Sequence, residues 1–477
     1  MSATVIRNAA WVVAYDADLG GHRYLRDVDI AFDGDTITHV GSGFDGTASV
    51  EIDGRDRLVF PGLVNVHSHP SSEAMNKGML DELGSPRLGM SSLYEFMPLF
   101  RPDDDGREAC VQVTYSELLK SGVTTLVDLS VAWDGWIDTF AASGLRGVVS
   151  PMYRSGAWYT KNGHVVEYDW LEDGGRAAME QAVATVDAAI AHSSGRLSGM
   201  ISPSQIDTCT PELIADSFAL AQDKGLPFQI HAAQSVVEFN EITRRHGVTP
   251  IEWLDDLGVL TRGAIIGHGI FLNDYGHVFW PEADDFGRLQ RSGAAVAHCP
   301  VVFQRRGIAM NTVGRYIRGG IPVGIGTDTY PHNMLEELRT ALYNSRLVSK
   351  NPYDLRTSDI FNAATLGGAG MLGRDDIGRL SVGAKADLVL ADLSAPAMKP
   401  VRDPLRSLIY VAAERAVRDV FVDGRHVVVN GDVPAFDLPD ALARLEAAQR
   451  RAEIAFQGLD FAGRRHDEAS PMVFPVA

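Results

Sequence analysis

His67-Ser68-His69 sets two imidazoles two residues apart, directly behind the apolar run Leu58-Val59-Phe60 and the turn Pro61-Gly62. On a β-strand, residues i and i+2 face the same side. A strand running from Leu63 to His69 would therefore converge both rings on one point at its C-terminal end, which is half of a metal site. On its own such a pair is polar surface more often than a ligand pair, so its weight depends on what the later chain adds. His231 closes Phe228-Gln229-Ile230-His231, and His268 closes Ala264-Ile265-Ile266-Gly267-His268. His298 falls within Val296-Ala297-His298-Cys299-Pro300, and Asp328 closes Gly324-Ile325-Gly326-Thr327-Asp328. Any one of these alone fits a structural role better than a catalytic one. All of them at strand ends is different, because a barrel gathers those ends round one mouth. Neutral imidazoles and a carboxylate so gathered make an open site for Zn²⁺ or a similar divalent ion, with a position left for water.

The elements that must place these residues follow from the texture of the chain. Strand patterns fall at 63–67, 124–129, 147–151, 198–202, 227–231, 264–268, 294–298 and 322–327. Helical stretches lie between them at 107–120, 176–192, 211–224, 237–246, 284–292, 312–318 and 335–348. This alternation predicts an α/β fold, a (β/α)8 TIM-type barrel with its chemistry at the C-terminal strand ends. An open doubly wound sheet would show a Gly-rich phosphate turn after an early strand, and none is present. Residues 1–60 read instead as short strands at 9–14, 27–32, 36–40 and 58–60, and β texture returns at 386–393 and 417–430. The two ends together predict one small β-sandwich domain, 1–60 plus 380–435, around a barrel at 61–379, followed by a helical tail at 436–477. Gly367-Gly368-Ala369-Gly370 reads as tight helix packing, since no Lys-Ser/Thr follows it. The stretch 153–168 is expected to be a loop over the barrel mouth.

Composition sets outer bounds. A net charge of −19 sets aside nucleic acid and anionic membranes as partners and fits a small-molecule substrate. Cys110, Cys209 and Cys299 are too few and too scattered for a disulfide framework or a cysteine zinc cluster. No basic and apolar leader opens the chain and no apolar run reaches the length of a membrane span, so a cytoplasmic location is expected.

Taken in order, Pro61-Gly62-Leu63-Val64-Asn65-Val66-His67-Ser68-His69, His231-Ala232-Ala233, Gly267-His268-Gly269, Ala297-His298-Cys299-Pro300 and Gly326-Thr327-Asp328 resemble the signature segments of the amidohydrolase superfamily. The likeness is greatest to its cytosine-deaminase-like and triazine-hydrolase (atrazine chlorohydrolase-like) branch. Ser381-Val382-Gly383-Ala384-Lys385-Ala386-Asp387 resembles that superfamily's return into its β domain. The resemblance implies that His67, His69, His231 and Asp328 are metal ligands, with a coordinated water whose pKa is lowered toward neutrality. It implies that Asp328 also relays the proton, and that His268 hydrogen-bonds the attacked centre. His298 would either line the pocket or support the ligands. Two-metal members carry a bridging carboxylate, often a carbamylated lysine, on the fourth strand. Met200-Ile201-Ser202-Pro203-Ser204-Gln205 offers neither Lys nor Glu, so one ion per chain is expected, zinc first, with Fe²⁺, Co²⁺ or Mn²⁺ as alternatives. The resemblance also implies a homodimer or larger homo-oligomer.

One departure outweighs the matches. Deaminases of this branch carry Glu three residues after the third metal histidine, where it shuttles a proton to a ring nitrogen. Gln234 stands there, and an amide cannot shuttle a proton at neutral pH. Either another acid such as Glu73 or Glu238 substitutes, or the substrate needs no ring protonation, as with an amide, urea or carbamate. The second reading is preferred. The expected function is metal-dependent hydrolysis of a C–N bond in a small, aryl or heterocyclic molecule. Ring deamination or dechlorination is the alternative, and a non-catalytic scaffold, which would be expected to have lost ligands, stands further off. Further pocket candidates are Glu73, Trp158, Gln304, Arg306 and Tyr330.

Overall fold

Arg57–Pro61 is the strand at which the chain ends meet. It pairs in parallel with Trp11–Asp16 and antiparallel with Leu388–Asp392. The computed structural model describes residues 3–79, 88–90 and 92–476. A six-stranded sheet runs in the order Arg425–Val428, Val417–Val422, Leu388–Asp392, Arg57–Pro61, Trp11–Asp16, Gly21–Leu25. A four-stranded sheet runs Thr36–Gly41, Val28–Asp33, Ala3–Ala9, Ala48–Asp53. Ile6, Val12, Ile30, Phe32, Ile37, Val59, Leu388, Leu390 and Phe421 fill the space between them. The expected strand at 9–14 is Trp11–Asp16, and a strand not expected from the sequence, Ala3–Ala9, precedes it in the other sheet. Ala10 alone separates them and donates its N–H to Gly54 O at 3.0 Å as the chain crosses from one layer to the other.

Gly62 then turns the chain from sandwich to barrel. A Cβ there would lie 2.0 Å from Thr124 Oγ1, so only glycine permits the close approach. The barrel is an eight-stranded parallel sheet in the order Leu197–Gly199, Arg146–Val149, Val123–Asp128, Leu63–Ser68, Val323–Ile325, Ala295–His298, Ala264–His268, Phe228–Ala232. It closes just beyond Gly199, where Ile201 bridges Phe228 and Gln229 N donates to Ile201 O at 3.0 Å. Leu63–Ser68 and Val123–Asp128 are buried along their whole length, as parallel strands covered on both faces must be.

Local signals place the surrounding helices. Thr210 caps Pro211–Lys224 from Leu213 N at 3.2 Å, and Gly225 ends that helix in the left-handed region. Ser235 caps Val236–His246, which therefore starts immediately beyond Gln234. Gly367 and Gly368 lie where a side chain would meet Val323 O at 2.6 Å and Val64 Cβ at 2.9 Å, which makes this glycine run a packing device against two barrel strands. The tail helix Leu438–Leu459 packs Ala441, Leu445, Ala448 and Phe456 against Ala109, Cys110, Val113 and Phe100. The stretch expected to be a loop over the mouth is a β-hairpin, Gly156–Tyr159 against Glu167–Trp170. Among the described residues no helix is long and apolar enough to cross a membrane.

Candidate metal centre

The first and last barrel strands are zipped together at their C-terminal ends. His69 N donates to Asp328 O and Asp328 N to His67 O, both at 2.9 Å. Asn65 Nδ2 donates to Thr327 Oγ1 at 2.8 Å one layer below. Asp328 is thereby threaded between the two histidines, its Oδ1 3.2 Å from His69 Nε2 and 3.6 Å from His67 Nε2. His231 Nε2 lies 3.3 Å from His69 Nε2, and His268 Nε2 lies 3.8 Å from Asp328 Oδ2. His268 and Asp328 both hold left-handed backbone, with φ of 89° and 56°. Such strain costs about 1–3 kcal/mol per residue and concentrates at functional sites.

Ligand atoms of His67, His231 and His268 all fall within 4.8 Å of one another, as do those of His67, His69 and Asp328. The outer nitrogens decide what the inner ones can do. His69 Nδ1 faces Leu129 O at 2.9 Å and His231 Nδ1 faces Ser204 O at 2.6 Å. Carbonyl oxygens only accept, so each Nδ1 carries the proton and the neutral ring turns a bare Nε2 inward. His67 Nδ1 meets Gln229 Oε1 at 2.6 Å, and the amide is oriented by its own Nε2 donating to Val66 O at 3.1 Å. Two bare lone pairs 3.3 Å apart, beside a carboxylate, call for a cation between them. His67 Nε2 and both ring nitrogens of His268 are buried without a hydrogen-bond partner among the described residues. This donor set fits a divalent ion held by nitrogen and oxygen.

Without an ion, the site favours positive charge beside Asp328. Burial opposes charge on Asp328, yet the His67 and His69 imidazoles hold it well below the usual carboxylate range. Burial also opposes charge on His69, and Asp328 overrides it, raising that ring. Burial and the surrounding imidazoles push His231 and His268 well below the ordinary histidine value.

The other residues singled out from the sequence are placed less uniformly. Gln234 is buried, and its Oε1 has no partner among the described residues. Glu238, weighed as a substitute acid, accepts instead from Ala233 N at 2.6 Å and Gln234 N at 2.9 Å, so both its oxygens brace the turn behind His231. Glu73 follows His69 on the short helix Pro70–Glu73 and is buried; burial is the main cause that pushes its carboxyl up to about 7, with His69 opposing and Asp328 reinforcing. Arg306 lies close enough to Glu73 to favour its charged form. Tyr330 is covered by the Arg305 guanidinium at 3.9 Å. Trp158 donates Nε1 to Asp207 at 2.9 Å and meets Tyr94 edge-on at 4.9 Å. Gln304 is exposed on the helix Pro300–Arg305. His298 lines a small, mainly apolar cavity with Ile270, Phe303, Met310 and Val313, and it lies close enough to His268 to oppose charge on that ring. Sequence reasoning missed Gln229, although it sits two residues before His231 on the same strand face.

A closed eight-stranded α/β barrel with imidazoles and a carboxylate converging at the C-terminal strand ends is the architecture of a metal-dependent hydrolase. The amidohydrolase family model matches residues 58–427, and the chain belongs to that family, hydrolases that act on carbon–nitrogen bonds. A 5-methylthioadenosine/S-adenosylhomocysteine deaminase of Natronomonas pharaonis is 29% identical over 435 residues, 90% of this chain and 94% of that protein. A 5'-deoxyadenosine deaminase of Methanosarcina mazei is 26% identical over 457 residues, 95% and 98% of the two chains. Among solved structures, an adenosine deaminase of Xanthomonas campestris with bound zinc superposes with a TM-score of 0.79 at 23% identity, covering 94% of this chain and 98% of its own. The zinc complex of an atrazine chlorohydrolase from Arthrobacter aurescens superposes with a TM-score of 0.76 at 23% identity, covering 94% and 100%. At these identities the structural likeness is one of fold.

Proposed function

We propose that the chain holds one divalent ion, zinc in the first instance, through His67, His69, His231 and Asp328, and hydrolyses a C–N bond at a carbonyl-type carbon, as in an amide, urea or carbamate. Gln234 is the observation that carries this reading. It occupies a buried place beyond His231, its Oε1 is free to accept from a substrate N–H, and it cannot deliver a proton. When bound, the ion supplies a Lewis acid and an acidified water. Asp328 is the carboxylate placed to take a proton and pass it to the leaving nitrogen. His268, neutral and buried, is placed to hydrogen-bond the oxygen on which charge develops. The zinc named with two structural neighbours supports the choice of ion.

A second reading, deamination of an adenosine-type nucleoside, draws on the names of the relatives and on Glu73. With its carboxyl pushed up to about 7, Glu73 would be about half protonated at neutral pH and could both give and take the proton in place of the acid missing at Gln234. Product analysis of the zinc-loaded protein separates the two. The proposal expects turnover of amides, ureas or carbamates and none of 5'-deoxyadenosine or 5'-methylthioadenosine. Ammonia release from those nucleosides, abolished by Glu73→Gln, would establish the second reading instead.

A further inference from the structure

We infer that Asp207 is a positioning residue that latches the hairpin Gly156–Tyr159/Glu167–Trp170 to the segment orienting His231, and so holds Trp158, a pocket candidate from the sequence, in place beside the Gln234 turn. The role in substrate binding rests on the functional reading above; the latch itself does not.

Trp158 and Tyr168 are direct cross-strand partners in the hairpin. Trp158 Nε1 and Tyr168 OH both donate to one oxygen of Asp207, Oδ2, at 2.9 and 2.6 Å. A single buried carboxyl thus ties both strands at the same rung. Beyond Gly156 the residues of the two hairpin strands are half-buried or exposed, so little apolar burial anchors it independently. Arg245 closes the arrangement from outside, donating to Asp207 O at 2.7 Å while its guanidinium covers the Tyr168 and Trp170 rings at 4.3 and 5.0 Å.

The other side of Asp207 faces the centre. Its segment carries Ser204, whose carbonyl sets the His231 tautomer, and Ile206, whose N–H donates to His231 O at 3.0 Å. Gln205 pairs with His231 as a strand bridge and reaches Glu238 at 3.4 Å, the same carboxyl that holds Ala233 and Gln234. Tyr94 completes the circuit: its hydroxyl lies 2.6 Å from Ser235 Oγ, next to Gln234, and its ring supports Trp158. The hairpin, the Gln234 turn and the His231 backing are thereby held together with Asp207 at the junction.

Hydrogen exchange on the zinc-loaded full chain tests this, comparing wild type with Tyr168→Phe, which deletes one donor, and Asp207→Asn, which weakens both bonds. Loss of one hydrogen bond shifts a local opening equilibrium by about tenfold. Amides of 156–170 should exchange about tenfold faster in Tyr168→Phe and faster again in Asp207→Asn, with those of Phe228–Ala232 and the zinc content unchanged. On a substrate turned over by wild type, Tyr168→Phe should raise KM, by at most the roughly tenfold shift in opening, with kcat within about twofold. Unchanged hairpin exchange in both variants would overturn the latch. So would acceleration in Phe228–Ala232 equal to that in the hairpin, since that is general loosening. If wild type turns over no C–N substrate, the functional reading fails while the exchange experiment still decides the latch.

Discussion

His67 Nδ1 and Gln229 Oε1 stand 2.6 Å apart, and this contact selects which nitrogen of His67 faces the centre. Because Gln229 Nε2 is committed to Val66 O, the amide cannot flip and His67 cannot exchange tautomers without losing a buried bond. Outer partners of this kind are worth about 10–100-fold in metal affinity. Gln229→Ala should weaken zinc binding by that factor, measured by competition with a chromophoric chelator, while the far-UV circular dichroism stays unchanged. Undiminished affinity would mean that the tautomer is set elsewhere.

Gln234→Glu installs a carboxyl where the amide now stands. If the substrate needs no ring protonation, the change should lower turnover of carbonyl substrates, because a free acceptor is replaced by a titrating group. If ring deamination is the native reaction, general acid–base help should raise ammonia release from nucleosides by about 10²-fold or more. Parallel kcat/KM measurements on the two substrate classes distinguish these outcomes.

Glu73 carries a pH signature in the metal-free protein. Its ordinary value is 4.5 and its folded value about 7. Between these limits the folded chain binds more protons than the unfolded one, so stability falls as pH rises through the window and stays lower above it. The difference amounts to about 3 kcal/mol. Glu73→Gln should therefore gain about that much on wild type at pH 8 relative to pH 4, read from urea midpoints. A gap that does not change with pH would contradict the buried placement.

Arg146 joins the barrel to the sandwich. From the strand Arg146–Val149 it pairs with Asp387 through Nε at 2.9 Å and Nη2 at 3.1 Å, and with Asp423 at 2.7 Å. Both Arg146 and Asp387 are buried, so removing the cation strands a carboxylate. Arg146→Ala should cost about 3–5 kcal/mol in denaturant unfolding.

The candidate ligands were readable from the sequence because each closes an apolar run, and a barrel makes strand ends converge whatever their separation in the chain. The strand-end positions of His67, His231, His268 and Asp328 needed only that rule, whereas the ligand set His67, His69, His231 and Asp328 came from the family resemblance. What supports them was harder to see. Gln229 looks like any residue alternating along a buried strand, and its partner His67 lies 162 residues away. Glu238 looked like a spare acid, because spacing from His231 says nothing about two backbone N–H groups turning toward it. The hairpin at 156–170 was hidden by its weak alternation: Asp207, not a buried apolar face, holds its strands. The crossing at Ala10 was missed because apolar residues continue on both sides of it while the chain changes sheets.

Metal content of the purified protein, compared between wild type and His231→Ala, tests the central claim most directly. The account predicts about one divalent ion per wild-type chain, little in the variant, and C–N hydrolysis that chelation abolishes and zinc restores. Full hydrolytic activity in protein stripped of metal, or equal metal content in the two proteins, would contradict it.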